Sequence, residues 1–273
     1  YVINVRFALS ILFVIFMSKY VVSARKYRPT NFDSVVGQKV ITDTLKNAIL
    51  TKNLAQSFLF CGPRGVGKTT CARILANEIN EFDFINPLEN SNNFNIYELD
   101  AASNNSVDDI RNLIEQVRYP PQSGKYKVYI IDEVHMLTQE AFNALLKTLE
   151  EPPKHAVLIL ATTDVQKLPL TIISRCQRFD FRRIANEQIA NKLTQLSDSE
   201  NIKIDYEALK VIANYSTGSL RDAENILEQA IVSFVNNISV ENIKEMLKIG
   251  GDDLTQKLLE LIVKKDLTRS IQE

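Results

Sequence analysis

Between residues 57 and 181 short apolar runs alternate with segments whose apolar positions recur every three or four residues. Phe58-Leu59-Phe60, Val128-Tyr129-Ile130-Ile131 and Val157-Leu158-Ile159-Leu160 are continuous, short and flanked by polar residues, as strands buried on both faces are. Ile96-Tyr97-Glu98-Leu99-Asp100 alternates, and Phe179-Asp180-Phe181 reads as a last short strand. Helices are predicted over 41–50 and 70–79, and from a cap at Asn105 or Ser106 to about residue 118. In a further helix Phe142, Leu145, Leu146 and Leu149 share one face, and Pro152-Pro153 stops it. Such alternation predicts an α/β fold, a parallel sheet with helices on both faces. Beyond Ile184 the strands cease, and 187–197, 205–215, 219–235 and 239–247 read as helices of a small helical domain, with another helical stretch from about 253 to 273.

Breaks in the pattern set the remaining organisation. The stretch over 81–95 is acidic and Asn-rich without periodicity, which marks a loop. Residues 19–38 are basic and then turn-like, and taken alone they read as a surface arm. Phe7 to Met17 is apolar apart from Ser10, and Val22-Ser23-Ala24 resembles a signal-peptide cleavage site. The run is too short for a bilayer, which takes about 20 apolar residues. Residues 1–18 are therefore expected to be a leader, with 1–16 translated upstream sequence and Met17 the start.

With 273 residues, 45% apolar and 24% charged, the chain has the makeup of a globular protein of one large or two to three small domains. Its net charge of -1 excludes a generally basic nucleic-acid binder, though not a local basic face. Cys61, Cys71 and Cys176 lie far apart without metal-ligand spacing, so neither a disulfide framework nor a zinc site is indicated, and a reducing cytoplasm suits them.

Two segments carry chemistry. Gly62-Pro63-Arg64-Gly65-Val66-Gly67-Lys68-Thr69, between a predicted strand and a helix continuing through Thr70, fits a nucleoside-triphosphate cradle. Its glycines let backbone N–H groups converge on phosphates at a helix N-terminus, Lys68 adds a charge on the β/γ-phosphates, and Thr69 is a Mg²⁺ ligand. The strand ending in Asp132-Glu133 places two carboxylates at its C-terminal edge, where open α/β sheets bind ligands. Asp132 suits Mg²⁺ and Glu133 the orientation or deprotonation of an attacking water. Thr163, Arg175 and Arg221 are the candidates for polar and cationic groups around the γ-phosphate. A surface role remains the alternative for each arginine.

Tyr27-Arg28-Pro29, Val36-Gly37-Gln38, GPRGVGKTT, ELDAASNNSVDDIR, IIDEVHML, FNALLKTLEEPP, LATTD, SRC and GSLRDA follow one another over residues 19–223. That set closely resembles the gamma/tau subunits of bacterial DNA polymerase III, AAA+ clamp-loader ATPases. The resemblance implies an AAA+ P-loop domain over 19–183, a helical lid over 184–247 and the start of a helical collar over 248–273. By the same resemblance Lys68 and Thr69 belong to Walker A, Asp132 and Glu133 to Walker B, Thr163 is sensor 1 and Arg221 sensor 2. Arg175 is then the arginine finger acting on a neighbouring subunit's ATP, Val36 lines the adenine pocket, and Arg111 and Lys147 face DNA. The implied cofactors are ATP and Mg²⁺. The implied partners are delta, delta-prime and other gamma/tau copies in a cytoplasmic hetero-oligomer, the sliding clamp and primed DNA, with no membrane.

The expected function is ATP-driven loading of the clamp during replication, and nothing in the pattern looks like a nucleotidyl-transfer site, so polymerase chemistry belongs to the holoenzyme. Two rivals stay open: another AAA+ DNA motor, such as a Holliday-junction helicase, and an ATP-gated scaffold without turnover, against which the Asp132-Glu133 pair and Arg221 argue. The chain departs from the family in lacking a Cys-rich zinc module after the Walker A helix, since 81–95 contains no cysteine. A structural zinc needs about four thiolate or imidazole ligands. Elemental analysis of the purified protein is accordingly expected to find no stoichiometric zinc, and one zinc per chain would contradict this reading of the ligands.

Overall fold

The computed structural model describes residues 27–80, 95–121, 124–234 and 238–249. The expected leader, nearly all of the loop over 81–95 and the collar beyond residue 249 lie outside them. Among the described residues five strands, β1 (Ser57–Cys61), β2 (Ile96–Asp100), β3 (Lys127–Asp132), β4 (Ala156–Thr162) and β5 (Gln177–Asp180), form one parallel sheet in the order β2-β3-β4-β1-β5. Helices α1 (Lys39–Leu50), α2 (Lys68–Asn80), α3 (Val107–Val117), α4 (Gln139–Glu150) and the single turn α5 (Leu170–Ile173) accompany the sheet. Four more follow, α6 (Asn186–Ser199), α7 (Tyr206–Tyr215), α8 (Leu220–Ser233) and α9 (Val240–Met246). None of the described helices is long and apolar enough to cross a membrane.

The continuous apolar runs are explained by the two faces they serve. Phe58 and Phe60 of β1, Val128 and Ile130 of β3, and Val157 and Ile159 of β4 pack with α1 and α2 on one side. Their neighbours Leu59, Tyr129, Ile131, Leu158 and Leu160 pack with α3 and α4 on the other. Strand side chains alternate between faces, so only a strand covered twice can be apolar throughout. β2 lies at the edge, which is why its pattern alternates. Ser106 caps α3 through a reciprocal box with Asp109, as the capping residues predict. Helices α6 to α9 enclose a third core around Leu193, Leu209, Ile212 and Leu227.

Two segments differ from the sequence reading. Residues 27–38 are no surface arm, because Phe32 is 2% exposed and the Gln38 side-chain amide donates to the Arg182 carbonyl at 2.7 Å. Their few apolar anchors, Phe32, Val35 and Val36, fall at i, i+3 and i+4, but over a single turn between Pro29 and Gly37 that is too short to mark a buried helix, so tertiary contact is what reveals their burial. Helix α2 starts at Lys68, two residues before the expected 70, since polar Lys and Thr in a first helical turn carry no hydrophobic signal.

The ring of Phe60 is fully buried and lies 5.7 Å from that of Phe179 and 5.2 Å from that of Phe181, tying β1 to the neighbouring edge strand β5 and the residue just after it. Phe60→Ala is expected to destabilise the fold by about 3–5 kcal/mol, the range for an aromatic truncated in a packed core. The check is a chemical-denaturation midpoint; a loss under about 1 kcal/mol would show that this cluster does not anchor β1.

Candidate nucleotide site

The site grows from the end of β1. The chain leaves the sheet at Gly62, turns through Gly65 and Gly67 at φ of 74° and 102°, and enters α2 at Lys68. Those φ values favour glycine, and at Gly65 a Cβ would also run into the Ser219 side chain at the start of α8. The helical cluster docks here: the Leu220 N–H donates to the Gly65 carbonyl at 3.1 Å. The Ser219 hydroxyl caps α8 by accepting from the Asp222 N–H. Loop and lid are therefore built against each other.

Lys68 is 6% exposed, and its ammonium donates to the Gly62 and Pro63 carbonyls at 2.7 and 2.8 Å. Burial pushes its pKa down, while the carboxylates of Glu133 and Asp132 pull it back up. Thr69 donates its hydroxyl to Asp132 at 2.6 Å, joining the first turn of α2 to the end of β3. The other Asp132 oxygen accepts from the Glu133 N–H at 3.0 Å. A hydroxyl and a carboxylate in contact form the hard oxygen pair that suits Mg²⁺ beside phosphates.

Glu133 occupies the left-handed region at φ 47° and ψ 43°, an uncommon conformation for a residue with a side chain. One of its oxygens accepts from the Thr163 N–H at 3.2 Å and hydroxyl at 2.8 Å, at the end of β4. His135 adds Nδ1 at 3.4 Å from the same carboxylate oxygen and 3.0 Å from the Thr162 hydroxyl. Three adjacent strand ends, β1, β4 and β3, thus converge on one cleft, as open parallel sheets allow.

The cleft and the open solvent at its mouth together give about 770 Å³ of space free of protein atoms. Of the residues singled out in the sequence, Arg64 to Thr70, Asp132, Glu133, Val36 and Arg221 line the cleft. Gly62 and Pro63 contribute the carbonyls that hold Lys68, and Thr163 reaches the cleft through Glu133. Arg175 is not part of the lining; its guanidinium pairs with Glu150 at 2.6 Å and donates to the Thr171 carbonyl at 2.8 Å. Arg111 and Lys147 are exposed on α3 and α4, which pack together, and Arg111 lies 3.4 Å from Asp108. Arg28, Pro29, Val35, Ile184, Leu220 and Glu224 also line the cleft, and the sequence reading assigned none of them. One signal for Glu224 was present: it follows Arg221 by three residues on a helix, which puts both on one face.

A family described as DNA polymerase III, delta subunit, matches residues 37–185, and one described as the DNA polymerase III clamp loader subunit, ATPase lid domain, matches 188–234. The gamma subunit of DNA polymerase III from Buchnera aphidicola subsp. Schizaphis graminum is 42% identical over 90% of this chain and 72% of its own. The chain belongs to the DNA polymerase III gamma/tau family. The tau subunits of Bacillus subtilis and Escherichia coli are 47% and 42% identical, over 83% and 89% of this chain, and it spans 42% and 40% of their lengths. Among solved structures, the Thermotoga maritima RuvB Holliday junction branch migration motor is similar with a TM-score of 0.66 over 87% of this chain and 79% of that one. At 20% identity that likeness establishes a shared fold alone.

Glu224 is an acid of the cleft wall whose ionisation burial opposes. It is 6% exposed, and burial pushes its carboxyl up to about 7, a rise that the cations of Lys192 and Arg221 oppose. An acid whose pKa is raised by folding stabilises the fold fully below its unfolded value of 4.5, and that contribution is lost as pH climbs to about 7. Glu224→Gln should remove the decline, so the variant gains on the parent across this window, by up to about 3 kcal/mol at about 1.4 kcal/mol per unit. Thermal unfolding of both proteins between pH 5 and pH 8 checks this; parallel profiles would contradict it.

Proposed function

We propose that this gamma/tau-family chain binds ATP with Mg²⁺ in the cleft and hydrolyses it to ADP and phosphate, as a motor subunit of the bacterial clamp loader. The observation that carries the reading is the convergence of Lys68, the Thr69–Asp132 pair and the Glu133–Thr163 pair at one sheet edge beneath Arg221. The ammonium of Lys68 exchanges its loop carbonyls for β/γ-phosphate oxygens, a stronger charge-assisted contact. Thr69 and Asp132 hold Mg²⁺, which neutralises phosphate charge. Glu133 orients the attacking water and takes its proton, with Thr163 fixing that carboxylate. From α8, Arg221 reaches the phosphates and makes lid position depend on the nucleotide.

Arg175 acts in trans on ATP held by a neighbouring copy, a reading supported by its absence from its own subunit's cleft lining. The partners are delta, delta-prime and further gamma/tau copies in the cytoplasm, together with the sliding clamp and primed DNA, whose phosphates meet Arg111 and Lys147. ATP binding closes the assembly on an open clamp, and hydrolysis on primed DNA releases it.

Lys68→Ala is expected to abolish tight ATP binding, whereas Glu133→Gln should bind ATP and stop hydrolysis. Normal binding and turnover in both variants would place the nucleotide site elsewhere. Arg175→Ala should leave ATP affinity of the isolated subunit nearly unchanged and lower turnover in the assembled loader, where arginine fingers contribute about 10³–10⁵. Mixing it with Lys68→Ala subunits lets an intact cradle sit beside an intact finger. Partial recovery of ATPase on mixing is the expected result, and no recovery despite demonstrated co-assembly would overturn action in trans.

A further inference from the structure

One charged side chain in the cleft wall has no part in the phosphate chemistry. Glu224 lies on α8 three residues beyond Arg221, about one helical turn further from the phosphate loop. It is 6% exposed, and among the described residues no hydrogen bond or ion pair holds its carboxyl. Lys192 and Arg221 act on it through their fields, and on its other side it borders a small apolar crevice formed with Leu227 and Ile231. Its oxygens are not sealed off with the buried side-chain atoms that have no partner, so the solvent they keep is that of the cleft it lines, and a group bound there can replace that water with a donor.

The chemistry of that donor follows from the surrounding walls. Val35, Val36, Ile184 and Leu220 are the larger apolar residues of the cleft lining, three of them, Val36, Ile184 and Leu220, belonging to one apolar cluster that suits the flat face of a base, and Glu224 lines the same cleft. Phosphates are repelled by a carboxylate and drawn to Lys68 and Arg221, so a triphosphate seated at the loop presents its other half here. We propose that Glu224 reads the nucleoside half of the bound nucleotide, its carboxyl accepting a hydrogen bond from an N–H or O–H donor, either the exocyclic amine of the base or a ribose hydroxyl. This deepens the proposed function and rests on it. The elevated pKa of the carboxyl agrees with a site that ionises fully only when a donor is present.

The test is equilibrium binding of ATP, purine riboside triphosphate (without the amine), 2′-deoxy-ATP and 3′-deoxy-ATP to the full chain and to its Glu224→Leu and Glu224→Gln variants. The parent should discriminate against one analogue by about tenfold or more, as expected for a hydrogen bond to an ionised group. In Glu224→Leu, ATP affinity should fall to that of the analogue and the discrimination vanish, while Glu224→Gln, which keeps an acceptor, should retain part of it. The analogue affected identifies the donor as amine or hydroxyl. Equal weakening for all four nucleotides, or none, would overturn the inference, and the Gln variant decides the matter if the Leu variant does not fold. Should the parent fail to bind ATP in a Lys68-dependent way, the nucleotide reading itself fails; intact binding with discrimination indifferent to Glu224 removes only this inference.

Discussion

Everything in this molecule depends on where β1 ends. Its five residues are buried throughout and paired with β4 on one side and β5 on the other, so its direction is set by two ladders and two helical layers. A strand held that firmly delivers the next residues to one point at the sheet edge, and the glycine-bearing turn then has to reverse the chain into α2. The same constraint puts Lys68 and Thr69 in the first turn of a helix, where backbone N–H groups and their dipole face the cleft. Preorganised polar groups in a partly water-excluded cleft are what phosphoryl transfer asks of a protein.

Two further hydrogen bonds convert that geometry into a connected site. The Thr69 hydroxyl on Asp132 links α2 to β3, and the Glu133 carboxylate on Thr163 links β3 to β4. Because Asp132 and Glu133 are consecutive, the backbone must turn sharply for both carboxylates to serve one cleft, and the left-handed conformation of Glu133 accomplishes that turn. The lid closes the arrangement through a backbone bond to Gly65 as well as through Arg221. A change in the position of α8 is consequently felt by the phosphate loop itself.

Hydrophobic periodicity and a few short motifs determined a great deal about this protein. Residues 96–100 were legible as a strand to the residue, and the three buried strands were legible except for a residue or two at their ends, because a strand covered on both faces has no polar position to hide. The sequence singled out the cradle, Asp132-Glu133, Thr163 and Arg221 because the proposed chemistry demands particular residue types at fixed distances along the chain, and the fold brings the cradle, Asp132, Glu133 and Arg221 to one cleft, with Thr163 joined to Glu133. Only tertiary structure decided the rest. The burial of Phe32 and Gln38, the contact between Gly65 and Ser219, and the place of Glu224 in the nucleotide cleft all join residues far apart in sequence. Such contacts leave no local period, and a glutamate on a helix reads as solvated until the neighbours that exclude water from it are in place.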